Sequence, residues 1–277
     1  MGNFAQDTAV EGGDGRYTAV LAPSWASWGP NGGYLSVVLL RAAGLHSKFD
    51  RVASMAIHFL SVGKFDAVQI STRSLRVSRR AESVRVTMLQ QENVLAEALV
   101  WLVADRLDGL SHSFDSMPTV ASPDQLQSWK DLPGDRGGWL PFWDNFDYRP
   151  TIWFDDPGSG KPLEARWHGW YRYQPRSTFE DSVLSDARSL VLLDTMGYSA
   201  AVRAHLGPIK YIAPNLDLSV QFHQTDPRSQ WLFAEGFSTI AENGLVFFQS
   251  SVRSESGRRL ASGSGQLLCR EISRITR

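Results

Sequence analysis

The same order of secondary-structure signals occurs twice along the chain, and this repeat constrains the fold more than any other feature. Each half begins with a helix pattern and continues with several strand patterns joined by short turns. An offset of 165 positions aligns His58 with His223 and Gln91 with Ser256, although few other residues coincide. The sequence therefore predicts two tandem copies of one unit, made of a helix and an antiparallel sheet.

The first helix begins in the stretch GPNGGYLSVVLLRAAGL, residues 29–45. Asn31 is a favourable N-cap, the apolar residues from Leu35 onward keep helical spacing, and Gly44 is expected to end the helix. One strand is predicted before this helix, and four β-branched runs predict the strands after it. These strands are expected at 15–28, 54–63, 67–78, 82–91 and 93–104.

The second half repeats this pattern. A helix is predicted over 184–206, beginning at Ser185 or Asp186 and ending at Gly207 and Pro208. The strands are expected at 165–174 before the helix and at 216–224, 230–241, 244–254 and 259–272 after it.

Between the halves, residues 108–160 are rich in Pro, Gly, Asp and Trp and are interpreted as a connector, with one extra strand near 142–154. A long helix held in the concave face of a curved antiparallel sheet is called a hotdog. Two such units joined edge to edge protect their edge strands. The predicted fold is therefore α+β, a double hotdog, with repeats at 1–107 and 161–277 around the connector.

Composition excludes several classes of protein. The hydrophobic fraction of 43% is that of an ordinary globular protein, and the net charge of −1 gives no basic footprint for nucleic acid. The apolar run at 94–104 is too short to span a bilayer and carries Glu97, so no membrane association is expected. A single cysteine, Cys269, fits a reducing compartment, and the cytoplasm is predicted.

Five stretches together resemble the type II acyl-CoA thioesterases, the double-hotdog thioesterase-like superfamily. They are GPNGGYLSVVLLRA, HFLSVG, VRVTMLQQENVLAEALVWL, NLDLSVQFHQ and GRRLASGSGQLLCR, and they extend over nearly the whole chain. The resemblance implies hydrolysis of acyl-CoA to a free acid and coenzyme A, with no cofactor. It also implies that an Asp, a Ser or Thr, and a Gln from the second half hold the attacking water.

The implied catalytic residues match this sequence to different degrees. Asp194, in SLVLLDTMG, matches the acid, and Asn215 stands where the family has a hydroxyl residue. Gly265 falls at the Gln position, and Gln266 follows one step later. Because one step along a strand reverses the face, Gln266 is expected to reach the water only if a bulge at Gly263 or Gly265 resets the register.

Asp194 follows four apolar residues, so its carboxylate is expected to be buried, with a pKa raised by desolvation. A general base acting on water needs such a pKa. The alternative is an Asp that faces solvent or caps a neighbouring segment. For Asn215 the alternative is a turn residue after Pro214.

The glycine pair at the first helix also has two interpretations. Gly32 and Gly33 either let this helix pack closely in its sheet, which is favoured, or leave backbone N–H groups accessible to a substrate carbonyl oxygen. The acyl chain is expected between helix and sheet. Gly265 is included with this pair as a candidate substrate contact.

Other candidate chemistry is weaker. His58 and His223 are interpreted as structural strand residues, and no metal site is visible. Arginines 73, 76, 79, 80 and 85 are interpreted as a solvated face rather than a coenzyme A site. No G-x-S-x-G elbow occurs. The alternatives are a non-catalytic acyl binder and a hotdog hydratase or dehydratase, and a homodimer is considered possible.

Overall fold

The computed structural model describes residues 1–132, 140–153, 163–205 and 209–272. The first half contains α1 (Phe4–Asp7), β1 (Glu11–Gly13), β2 (Arg16–Val20), α2 (Gly32–His46), β3 (Arg51–Phe59), β4 (Ala67–Val77), β5 (Ala81–Gln90) and β6 (Asn93–Val103). The remainder contains β7 (Phe146–Pro150), β8 (Arg166–Tyr173), α3 (Ser182–Val202), β9 (Tyr211–Ile212), β10 (Asp217–Phe222), β11 (Leu232–Glu242), β12 (Leu245–Ser254), β13 (Arg259–Leu268) and β14 (Arg270–Glu271).

Twelve of the strands form one antiparallel sheet in the order β1-β2-β4-β5-β6-β3-β10-β13-β12-β11-β8-β7. The two halves meet where β3 pairs with β10. In that register Ser54 lies opposite Gln221, and Ala56 lies opposite Ser219. The repeat offset of 165 relates Ser54 to Ser219 and Ala56 to Gln221, so each pair is the repeat equivalent of the other. The sheet therefore has a local two-fold relation at its centre, as the double-hotdog prediction requires.

Both long helices pack on the same sheet and against each other. α2 is apolar around most of its circumference, as expected of a buried helix, and its core residues include Leu39 and Leu40. The helices run antiparallel, because Gly33 near the start of α2 lies against Val191, whereas Gly44 near its end lies against Val183. This arrangement puts the N-terminus of each helix beside the body of the other.

Side-chain caps begin both helices. The Asn31 side chain accepts a hydrogen bond from the Tyr34 N–H at 2.9 Å, which confirms the predicted N-cap of α2. In α3 the cap is Asp181, which accepts from the Leu184 N–H at 2.7 Å. The prediction that α3 begins at Ser185 or Asp186 is therefore wrong, because an earlier carboxylate satisfies the first N–H groups.

Three other element predictions need correction. α2 continues through Gly44 to His46, so this glycine does not end the helix. Only the first part of 15–28 is a strand, since Pro23 begins a short 3₁₀ helix. Similarly, 142–154 gives a 3₁₀ helix at Pro141–Asn145 and then β7. The predicted stop at Gly207 and Pro208 lies outside the described residues.

The connector is fixed to the second half by polar contacts. Asp115 forms ion pairs with the buried Arg253 and with Arg259, the latter at 2.6 Å. Further along, the indole N–H of Trp170 donates to the Ala121 carbonyl at 2.9 Å. The connector therefore contacts the second half at these points.

Within the described residues, no helix has both the length and the apolar character needed to cross a bilayer.

Candidate active site

Asp194 lies within α3, on the side that meets the N-terminus of α2. Only 7% of its surface is exposed, which excludes the interpretation of a solvent-facing Asp. A Cβ atom on Gly32 would lie 2.8 Å from Asp194 Oδ1, and one on Gly33 would lie 2.9 Å from Asp194 Cβ. The two glycines therefore let the carboxylate approach the end of α2.

This placement corrects the favoured interpretation of the glycine pair. Gly33 packs against α3, since a Cβ there would lie 2.5 Å from Val191 Cα. Gly32 contacts Asp194 and, from the sheet, the Phe59 ring, whose Cζ would lie 3.1 Å from its Cβ. The atoms nearest to a Cβ at either glycine thus belong mainly to α3, and the Phe59 ring is the sheet contact among them.

Groups from both repeats hydrogen-bond the carboxylate. Asn215 Nδ2 donates to Asp194 Oδ1 and, at 3.0 Å, to the main-chain oxygen of Asp194. From the first repeat, Asn31 Nδ2 donates to Asp194 Oδ2 at 3.2 Å, and the backbone N–H of Gly33 also contributes a hydrogen bond. The predicted partners Asp194 and Asn215 are therefore in contact, and the first repeat supplies two donors.

Burial raises the pKa of Asp194 to about 6, whereas the hydrogen bonds from Asn215, Gly33 and Asn31 favour the charged form and limit the rise. The carboxylate is consequently mostly ionised near neutral pH but remains a better proton acceptor than an exposed Asp. This balance suits a general base.

Asn215 has an acceptor that is not used. Its Oδ1 is buried and has no hydrogen-bond partner within the described part of the chain. A buried acceptor of this kind is rare and is usually paired with water or ligand. The oxygen belongs to the same amide whose nitrogen binds Asp194, so a water at Asp194 can also donate to it.

The structure does not bring Gln266 to this pair. In β13 the residues Gly265 and Leu267 are buried on the helix side, and Gln266 lies on the opposite face. The pairing of β13 with β12 is continuous from Leu268 to Ala261, so the bulge that Gln266 needed at Gly263 or Gly265 is not present in this stretch.

At Gly265 the ring of Phe248 occupies the helix side of the sheet. A Cβ on Gly265 would lie 2.9 Å from Phe248 Cε1, and one on Gly197 of α3 would lie 2.5 Å from Phe248 Cγ. An apolar ring therefore fills the space beside the position at which the family has its Gln. Gly265 therefore contacts the buried Phe248 ring at this position.

Sequence reasoning missed Asn31 as a member of the site. The sequence pattern identified the helix cap, in which Asn31 Oδ1 accepts a hydrogen bond. It did not indicate that Asn31 Nδ2 also donates to the Asp194 carboxylate. The available signal was the position of Asn31 directly before the glycine pair.

The remaining candidate groups lie apart from Asp194. His58 is exposed on β3, His223 is exposed just after the end of β10, and Arg85 pairs with Glu97 at 2.8 Å on an exposed face. The other arginines of that run, at 73, 76, 79 and 80, are exposed too, which supports the solvated-face interpretation. Among the described residues, no group of three His, Cys, Asp or Glu side chains has an arrangement suited to a metal ion.

The double-hotdog fold and the buried carboxylate held by amide donors agree with the thioesterase class that the sequence resemblance implies. Family comparison is consistent with this class: residues 21–103 match the acyl-CoA thioesterase N-terminal domain, and residues 115–268 match the acyl-CoA thioesterase C-terminal domain. The chain belongs to the acyl-CoA thioesterase family and is a thioester hydrolase.

Several solved structures share the fold. A conserved hot dog protein of unknown function from Alicyclobacillus acidocaldarius has a TM-score of 0.81 at 19% identity and covers 96% of this chain and 97% of its own. Acyl-CoA thioesterase II TesB2 from Mycobacterium marinum has a TM-score of 0.79 at 19% identity, covering 98% and 100%. A tesB protein from Mycobacterium avium subs paratuberculosis has a TM-score of 0.76 at 20% identity, covering 96% and 98%.

A search of curated protein sequences found no significant match. At the identities of the solved structures, the likeness is one of fold.

Proposed function

We propose that Asp194 is the general base of an acyl-CoA hydrolase, in which it activates a water for attack on the thioester carbonyl. The observation that carries this proposal is the buried carboxylate between Asn215 and Asn31, with a pKa near 6. Asn215 orients the water by accepting its second O–H at the buried Oδ1. A positioned base of this kind contributes typically about 10²- to 10⁴-fold in rate.

The reaction then balances through one proton. Asp194 takes a proton as the water oxygen bonds to the carbonyl carbon, and a tetrahedral oxyanion forms. The C–S bond breaks as the oxyanion collapses, and the proton on Asp194 passes to the leaving thiolate. The products are a carboxylic acid and coenzyme A.

The N-terminus of α2 stabilises the oxyanion in this mechanism. The Gly33 N–H donates to Asp194 and the Tyr34 N–H donates to Asn31, whereas the Gly32 N–H forms no hydrogen bond among the described residues. The Gly32 N–H and the positive end of the helix dipole both favour negative charge on the carbonyl oxygen. The ring of Phe59, which contacts Gly32, forms an apolar wall for the start of the acyl chain.

The test is a thiol-release assay with a series of acyl-CoA esters of increasing chain length. We expect release by the wild-type protein and a loss of about 10²- to 10⁴-fold in kcat for Asp194→Asn. Asp14→Asn is the matched control, because Asp14 lies in an exposed turn with a φ of 52°, which Asn also adopts. Full activity in Asp194→Asn would refute the mechanism.

One observation departs from the family pattern, the glycine at the family's Gln position. Binding of acyl-CoA without thiol release at any chain length would contradict hydrolysis and support a non-catalytic acyl binder. The cytoplasmic location, consistent with the single cysteine, and the homodimer stay predictions; sedimentation velocity measures the latter.

A further inference from the structure

The two helices contact each other at two points that are related by the internal two-fold. Gly33 meets Asp194 near one end, and Gly44 meets Val183 near the other, where a Cβ on Gly44 would lie 3.1 Å from Val183 Cγ2. Residue 33 corresponds to 183 and residue 44 to 194, both at an offset of 150. The Asp194 site therefore has a structural counterpart at the N-terminus of α3.

A cavity of about 730 Å³ occupies this counterpart position. Ser182, which corresponds to Gly32 at the helix offset of 150, lines it. Gln224, which corresponds to Phe59 at the strand offset of 165, lines it as well. The two residues that frame the carboxylate in one repeat thus have equivalents that frame a cavity in the other.

The counterpart lacks the hydrolytic acid. Gly44 stands at the position equivalent to Asp194, and Val183 stands at the position equivalent to Gly33. A ligand in the cavity therefore meets no equivalent of the general base, and we expect it to be bound rather than hydrolysed.

Three guanidinium groups line the cavity, those of Arg51, Arg106 and Arg258. Arg51 Nη1 donates to the Asp105 carbonyl at 3.2 Å. Arg106 and Arg258 form no ion pair within the described part of the chain, so their charges are available to a ligand. Planar guanidinium groups bind phosphate oxygens in bidentate fashion.

The other lining groups are polar too. They include Asp105, Asp186, His223 and Thr225, and none of the residues that line the cavity is an apolar residue type. The Asp186 carboxyl group has no side-chain hydrogen bond with any described residue, and burial raises its pKa to about 7, against the opposing effects of Arg188 and Arg51. Near neutral pH a substantial fraction of this carboxyl is protonated and able to donate to a phosphate oxygen.

We propose that the cavity at the N-terminus of α3 is a second, non-hydrolytic ligand site, which binds a small molecule bearing phosphate groups through Arg51, Arg106 and Arg258. The three guanidinium cations face two carboxyl groups, Asp105 and Asp186, and the pKa of Asp186 is raised to about 7, so the lining keeps a net positive charge that a phosphorylated ligand matches. This site is independent of the proposed mechanism at Asp194, because it shares no residue with it.

The experiment is calorimetric titration of the full-length protein with inorganic pyrophosphate, with free coenzyme A and, as the uncharged comparison, with adenosine. We expect pyrophosphate to bind and adenosine not to bind. The double variant Arg106→Gln/Arg258→Gln should weaken pyrophosphate binding by roughly tenfold or more. The matched control is Arg79→Gln/Arg80→Gln, which removes two exposed charges outside the cavity.

The coenzyme A arm distinguishes the source of the phosphate. Loss of coenzyme A affinity in the cavity variant means that the cavity accepts the phosphates of coenzyme A, whereas an unchanged affinity combined with weaker pyrophosphate binding identifies a different phosphorylated ligand. No pyrophosphate binding, or equal weakening in both double variants, would overturn the proposal. Hydrolysis by wild type and Asp194→Asn is measured separately, so either proposal can fail alone.

Discussion

Asn31 Nδ2 donates a hydrogen bond to Asp194 Oδ2 at 3.2 Å, although the two residues are 163 positions apart in the sequence. The same side chain caps α2 through its Oδ1, so one amide fixes both the helix end and the carboxylate. The acid belongs to the second repeat, and two of its hydrogen-bond donors belong to the first. Each repeat alone therefore holds only part of the candidate site.

The pH dependence of hydrolysis is the first prediction. Because the proposed base must be ionised, kcat/KM should rise with pH through about 6, the pKa of Asp194, and become level above it. Removing the Asn215 amide, which favours the ionised form, should move this acidic limb to higher pH. Initial rates of wild type and Asn215→Ala across the acidic range measure both effects.

An acidic limb that is unchanged in Asn215→Ala would show that the amide does not act on the ionising group. Asp14→Asn serves as the control, since Asp14 lies in an exposed turn away from this site.

Much of the fold is predictable because strand signals are local. β4 (Ala67–Val77) and β6 (Asn93–Val103) fall within their predicted ranges, since alternation and β-branching depend only on neighbouring residues. Gly44 was misread for the opposite reason: its role is a contact with Val183 of another helix, and no local pattern encodes such a contact.

The candidate site was predicted in part. Asp194 and Asn215 could be found from the family resemblance, and the structure brings them together. Asn31 could not be found in this way, because its donation to the carboxylate depends on the antiparallel approach of α2 and α3. Continuous strand pairing, which the sequence left open, places Gln266 on the other face.

The second prediction concerns a negative charge introduced at position 31. Asn31→Asp keeps an N-cap acceptor but places a second carboxylate beside Asp194 and removes a donor, so the pKa of Asp194 should rise further. The acidic limb of kcat/KM should move upward by about one unit or more. Asn31→Ser keeps the cap without the added charge, and it should shift the limb less. Equal shifts in both variants would contradict this electrostatic account.

The glycine pair gives the third prediction. Gly33→Ala places a Cβ 2.5 Å from a backbone atom of α3, so the helices must separate, and we expect a loss of roughly 1–3 kcal/mol in the free energy of unfolding. Gly32→Ala instead meets the Asp194 carboxylate at 2.8 Å, so it should lower kcat more than stability.

Urea unfolding and thiol release, measured on both variants, separate the two effects. Gly13→Ala is the control, because no atom lies within 4 Å of a Cβ at that position. If Gly32→Ala and Gly33→Ala lost stability and activity in the same proportion, the assignment of separate roles would be wrong.

The last prediction concerns stability and pH. The pKa of Asp194 is about 6 in the folded protein, above the ordinary value of about 3.9 expected after unfolding. A raised pKa means that the contribution of this group to stability is present below the unfolded pKa and is lost as the pH rises through the folded pKa.

Asp194→Asn does not titrate, so it should lack this loss. Its free energy of unfolding relative to wild type should therefore increase by on the order of 2 kcal/mol between about pH 4.5 and about pH 8. Urea unfolding of both proteins at a series of pH values measures this difference. The contributions of all other titrating groups are common to the two proteins and cancel in the subtraction. Parallel stability curves for wild type and Asp194→Asn would show that the carboxyl is not held with a raised pKa.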